Sequence, residues 1–131
     1  MKTSKKTRRY IEIAKKAALN NQSKFRHGAV LVKGGSIINT ASNKQKYNSF
    51  GNRFRNTYTC GHATHHAELS CILGIDKNKT HGATMYVARI NNQGEFRNSR
   101  PCPMCQEVLK FVGVKKVVFT KNNGQFGLCK I

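Results

Sequence analysis

Between Thr59 and Ser70 the chain reads "TCGHATHHAELS", and further along, at 101–105, it reads "PCPMC". One imidazole, His66, and two thiols, Cys102 and Cys105, make a three-ligand zinc set that leaves a fourth tetrahedral position for water. Cys102 and Cys105 are three residues apart, about one helical turn, so both sulfurs can reach one ion. Both stretches open predicted helices, where the positive end of the helix dipole and free N–H groups favour thiolates and hydroxide. Glu68 lies two residues after His66. From there its carboxylate can reach a metal-bound water without ligating the metal, take a proton and deliver it to a substrate nitrogen. Zinc lowers the pKa of a water it binds toward neutrality, so a hydroxide nucleophile is available near pH 7. Two plainer readings compete. The zinc site is structural, closed by a fourth ligand among Cys60, His62 and His65; or Glu68 is a first-turn acid that steadies a helix dipole. With only five acidic residues in the chain, the placement of Glu68 favours chemistry.

These side chains need elements to hold them. Residues 2–21 read as a helix, with Tyr10, Ile11, Ala14, Ala18 and Leu19 forming an apolar stripe. "HGAVLVKGGSIINTASN" (27–43) reads as a β-hairpin turning at Gly34-Gly35. Residues 44–64 are polar and without period, and long ordered loops of this kind are often functional. Helical spacing returns over 66–75, and "ATMYVARI" (83–90) reads as a strand, with "EFRNS" continuing it as a ribbon. "PCPMCQEVLKFVG" (101–113) reads as a helix that opens with Pro and closes at Gly113. "VKKVVFT" (114–120) and "FGLCKI" (126–131) are strands around an Asn-Asn-Gly turn. The order predicts an α/β fold of three layers, α-β-α, around a central mixed sheet of about five strands. The strands at 83–90 and 114–120 should run parallel across a helical crossover, and the last strand should return antiparallel.

Length and composition set the outer bounds. The 131 residues suit a single domain over 1–131, without internal repeat or Pro/Gly-rich linker. Lys and Arg total 24 against five acids, a formal charge of +19, which attracts polyanions such as single-stranded nucleic acid or phosphorylated small molecules. The plainer alternative is a solvated Lys-rich surface. Five cysteines, an odd number, argue against a disulfide framework. No apolar run approaches the ~18–20 residues needed to span a bilayer. The basic N-terminus lacks a secretory pattern, so an intracellular, cytoplasmic protein is expected, with no membrane partner.

H-x-E followed by P-C-x-x-C resembles the pattern of the zinc-dependent cytidine and deoxycytidylate deaminase superfamily. The similarity extends over most of the chain. Residues 27–43 resemble the family's first hairpin, "GATMYVARI" the strand before the cysteine motif, and "PCPMCQEVLKFVGVKKVVF" the metal helix and following strand. The resemblance implies a cytidine-deaminase-like fold with His66, Cys102 and Cys105 on Zn2+ and Glu68 as proton shuttle. It further implies that the Ala67 N–H holds the base carbonyl and that Asn43 binds the sugar. The implied reaction is hydroxide attack on C4 of cytosine, loss of ammonia and formation of uracil. The terminal hairpin resembles the small cytidine enzymes, commonly tetramers, so a homo-oligomer is expected. His at position 66 in place of Cys resembles the nucleotide and polynucleotide branch. A second, structural zinc on Cys60, His62 and His65 is an alternative to their lining the substrate pocket.

The expected function is therefore hydrolytic deamination of cytosine in a free nucleoside or nucleotide. Two alternatives stay open: deamination of cytosine or adenine within single-stranded DNA or RNA, and an inactive, zinc-stabilised nucleic-acid-binding module. Phe50, Phe54 and Tyr58, interleaved with Arg53 and Arg55, either stack bases or pin their own loop.

Overall fold

In the first strand, β1 (Arg26–Lys33), Ala29 and Leu31 face one way and Val30 and Val32 the other, and all four are buried. The same double burial recurs in β5 (Thr84–Ile90), with Met85 and Val87 against Tyr86 and Ala88, and in β7 (Lys116–Thr120), with Val117 and Phe119 against Val118. Strands that are apolar on both faces need a cover on both. The computed structural model of the protein, which describes residues 4–20, 26–47 and 64–131, supplies it as two helical layers.

One cover is α1 (Lys5–Leu19), which sets Tyr10, Ile11 and Ala14 on Val30, Val32, Tyr86 and Val118. The other is α2 (Ala67–Ile72) with α4 (Pro103–Phe111), which set Leu69, Cys71, Val108 and Leu109 on Leu31, Met85, Val87 and Val117. Gly28 fixes how closely α1 can lie. A Cβ there would collide with the Ala14 carbonyl oxygen and stand 2.8 Å from the Ala18 nitrogen.

The main path of the sheet is β2-β1-β5-β7-β8, where β2 is Ser36–Ser42 and β8 is Phe126–Lys130. The β1–β2 hairpin turns through Gly34 and Gly35, both at positive φ (59° and 80°), a conformation that glycine adopts without a Cβ penalty. β1 and β5 are antiparallel, β5 and β7 parallel, and β7 and β8 antiparallel. The expected three-layer α/β architecture is thus the observed one.

Details differ from the sequence reading. The sheet has six strands rather than about five, because "EFRNS" contributes β6 (Phe96–Arg97), paired to β5 through Arg89↔Arg97 and Ile90↔Phe96. The helix expected over 66–75 stops at Ile72. Leu73 leaves helical geometry (ψ 131°), and Gly74 takes φ 78°, after which a single turn, α3 (Lys77–Thr80), follows. The helix expected from Pro101 starts at Pro103 instead, since Cys102 is its cap. The ends of the expected loop at 44–64 pair as β3 (Lys44–Tyr47) and β4 (Thr64–His65); its remainder, with Phe50, Arg53, Phe54, Arg55 and Tyr58, lies outside the described residues. Among the described residues, no helix is long and apolar enough to cross a membrane.

Candidate metal centre

His66 and Cys102 are the residues just before α2 and α4, both in extended backbone (φ −60°, ψ 154° and φ −69°, ψ 163°). Neither side chain caps its own helix. They turn to each other instead. Cys105 Sγ lies 3.3 Å and Cys102 Sγ 3.7 Å from His66 Nδ1, and the three ligand atoms all fall within 4.8 Å of one another. Zn–S and Zn–N bonds of standard length at tetrahedral angles place nitrogen and sulfur about 3.6 Å apart. The donor set and its spacing therefore fit zinc. The Cys102 sulfur holds the His66 imidazole above its ordinary pKa, against the opposing effect of burial.

The two helix starts meet because their supports are built into the sheet. The segment between β6 and α4 is anchored by Ser99, which is buried with Thr120. Ser99 Oγ donates to the Val87 carbonyl (3.0 Å) and accepts from the Thr120 N–H (2.8 Å), and the Ser99 N–H donates to the Thr120 carbonyl (2.9 Å). Thr120 Oγ1 in turn donates to the Arg97 carbonyl (2.7 Å). These bonds tie the chain to β5 and β7 just before Cys102. On the other side, Gln106 Nε2 donates to the Pro101 carbonyl (2.8 Å), closing the approach to α4.

Glu68 is the second residue of α2 and only 5% exposed. Burial pushes its carboxyl above the ordinary range; a backbone hydrogen bond, the His66 charge and a hydrogen bond with Cys105 pull the other way. The convergent group of ligand atoms is made by His66, Cys102 and Cys105, and Glu68 follows His66 by two residues. Ala67, buried, is the first helical residue of α2, so its N–H is one of the donors that a helix start leaves without an intrahelical partner.

Asn43, between β2 and β3, is locked to β1: its N–H donates to the His27 carbonyl (3.2 Å) and its Oδ1 accepts the His27 N–H (2.9 Å). His27 itself escaped the sequence reading. Burial pulls its pKa down to about 4, and the nearby Arg89 and His66 charges add to the shift, with Cys102 opposing. It is a neutral imidazole at neutral pH, close enough to His66 and Cys102 to feel both. The available signal was strand parity: His27 shares a face with Ala29 and Leu31, the face that packs on α2.

Other sulfur and histidine residues fall elsewhere. Cys71 is buried in the core, its Sγ 3.4 Å from the Asn39 carbonyl, and burial pushes its thiol up to about 12. Cys60 and His62 lie outside the described residues, and His65 enters only as backbone opposite Lys44 in β4. The expectation of a second zinc there lies outside the described residues as well.

The model of the cytidine and deoxycytidylate deaminase zinc-binding region matches residues 2–121. Among solved structures, the chain is similar to the dCMP deaminase from the cyanophage S-TIM5 in apo form. The identity is 22%, the TM-score 0.60, and the match covers 92% of this chain and 86% of that one. Two forms of Acinetobacter baumannii RibD match with 22% identity and TM-scores of 0.48 over 88% of this chain, and over 27% and 26% of theirs. No curated protein matches. With the matched region running through both halves of the metal centre, the chain belongs to the cytidine and deoxycytidylate deaminase zinc-binding family, and it is a zinc-dependent deaminase.

Proposed function

We propose that the protein hydrolyses the exocyclic amine of cytosine in a free nucleoside or nucleotide, giving uracil and ammonia. The observation that carries this reading is the placement of Glu68, buried in contact with Cys105 and two residues from His66, beside three convergent ligand atoms. His66, Cys102 and Cys105 hold the zinc. When bound, zinc supplies Lewis-acid activation of water, which makes hydroxide available near neutral pH. Glu68 takes the proton released as water attacks C4 and passes it to the departing amino group. Its burial supports this role, because removal from water raises a carboxyl's affinity for the proton it is to accept. The Ala67 N–H receives the base carbonyl, and Asn43, held by its two bonds to His27, binds the sugar. The cyanophage neighbour is by title a dCMP deaminase, which is in keeping with a deoxycytidylate-type substrate. We expect the working form to be a homo-oligomer, which sedimentation will show as a mass above that of one chain.

The test is a substrate panel: cytidine, deoxycytidine, their monophosphates and a cytosine-bearing single-stranded oligonucleotide, scored for uracil. Turnover of at least one small substrate is expected. Uracil from the oligonucleotide alone would move the substrate to the polymer. No uracil from any of them, with zinc bound, would overturn the cytosine reading. The polymer is the second reading because the +19 charge favours it.

A further inference from the structure

Asn98, Arg100 and the β7–β8 hairpin line an open cleft of about 500 Å³ that none of the proposed zinc ligands lines. Its charged side chains are Arg100 and Lys121, and no acidic residue lines it among the described residues. Three asparagines also face it, and each has its carbonyl oxygen committed. Asn122 Oδ1 accepts the Asn98 N–H (2.7 Å), Asn98 Oδ1 accepts the Arg100 N–H (3.2 Å), and Asn123 Oδ1 accepts the Gln125 N–H (3.1 Å). A backbone N–H needs an acceptor, so these partners fix which end of each amide is which. What the asparagines have left to offer a ligand is NH2, a donor. The cleft thus presents a guanidinium, an ammonium and amide donors, a composition that suits a ligand made of negative oxygens.

The scaffold under it is firm. The Arg100 guanidinium lies over the Phe119 ring, 5.9 Å from its centre. Gly127 leaves that ring its space, since a Cβ there would stand 2.5 Å from ring carbon Cζ. Leu128, 44% exposed, adds an apolar wall. Arg100 is two residues before Cys102, so their Cα atoms are at most about 7.6 Å apart.

We propose that the cleft is a subsite for single-stranded nucleic acid. Arg100 and Lys121 pair with successive phosphodiesters of the strand, and Asn98, Asn122 and Asn123 donate to their oxygens. This goes beyond the deamination reading and does not depend on which cytosine is turned over. The two cations come from separate segments that line one cleft, and the charge of +19 draws the polymer in.

The experiment measures fluorescence anisotropy of a labelled short oligothymidylate, which contains no cytosine, over a range of salt. The proteins are wild type, Arg100→Ala/Lys121→Ala, and Lys6→Ala/Lys16→Ala on α1, which loses the same charge. The cleft variant should bind at least about tenfold more weakly, and its salt slope should flatten by about 1.4, the sum of two contacts at about 0.7 each. The α1 variant should change little. Equal losses in both variants would mean diffuse attraction and overturn the proposal, as would unchanged binding in the cleft variant. If removing Arg100 disturbs the nearby ligand loop, zinc content will fall; Lys121→Glu, in the β7–β8 turn, then carries the test with the same expected loss. Uracil formation from a free monophosphate is followed on the same proteins. A raised KM for the monophosphate with unaltered oligothymidylate binding would assign the cleft to a mononucleotide and overturn the strand subsite. Because the bound strand holds no cytosine, its failure to bind would leave the deaminase reading standing.

Discussion

Two side chains near the metal centre, Glu68 and His27, are both pushed by burial toward their neutral forms, with opposite consequences for pKa. For His27 the effect on stability is calculable. Its pKa falls from 6.5 to about 4 on folding, so the unfolded chain binds the extra proton. The neutral ring's contribution is fully present above pH 6.5 and is lost as pH falls through 4, a change of about 3 kcal/mol. Denaturant melts of wild type and His27→Gln between pH 7 and pH 4 should show the substituted protein losing less stability over this window. Parallel curves would show that His27 does not titrate as described. The convergence of His66, Cys102 and Cys105 was legible in the sequence because few arrangements of His, Glu and Cys at such spacing have another use. His27 was not, since a lone histidine at a strand start carries no pattern until the strand's faces are assigned. Ser99 was hidden for a related reason: polarity alone does not announce burial, and only the paired ends of β5 and β7 reveal it.

At the scale of elements, the strands read true because β1, β5 and β7 are apolar on both faces and bounded by glycine and asparagine turns. Helix ends read less well. Two prolines flank Cys102, and sequence alone does not say which one opens α4; the structure chooses Pro103, which leaves Cys102 outside the helix with its thiol toward His66. Gly74, by contrast, is a stop signal for α2 that the apolar spacing continuing to Ile75 masks in the sequence. Positioning of α4 depends on the bonds that Ser99 makes before it. Ser99→Ala leaves the buried Thr120 N–H and the Val87 carbonyl each short of a partner. We predict a loss of about 1–3 kcal/mol in denaturant unfolding, together with weaker zinc retention in a chelator competition. Unchanged stability would mean that the loop is held by other contacts.

For the whole molecule, 24 basic residues against five acidic ones make self-repulsion a destabilising force. The ion pair of Arg97 with Glu95, at 3.7 Å, is exposed and of little worth. Screening should therefore stabilise rather than weaken the fold: raising sodium chloride from low to moderate concentration should raise the melting temperature by a few degrees. A fall would point to ion pairs that carry stability. The charge was evident from composition, but the meeting of Arg100 and Lys121 at one cleft was not, because they come together only when the β7–β8 turn folds beside residues 98–100. One claim organises the rest, that His66, Cys102 and Cys105 hold zinc while Glu68 moves the proton. Its most direct test is Glu68→Gln, measured for metal content and for uracil formation on the best substrate of the panel. Zinc should remain at about one per chain, while kcat falls by about 10²–10⁴-fold. Wild-type turnover in the variant, or loss of zinc together with activity, would contradict that division of labour.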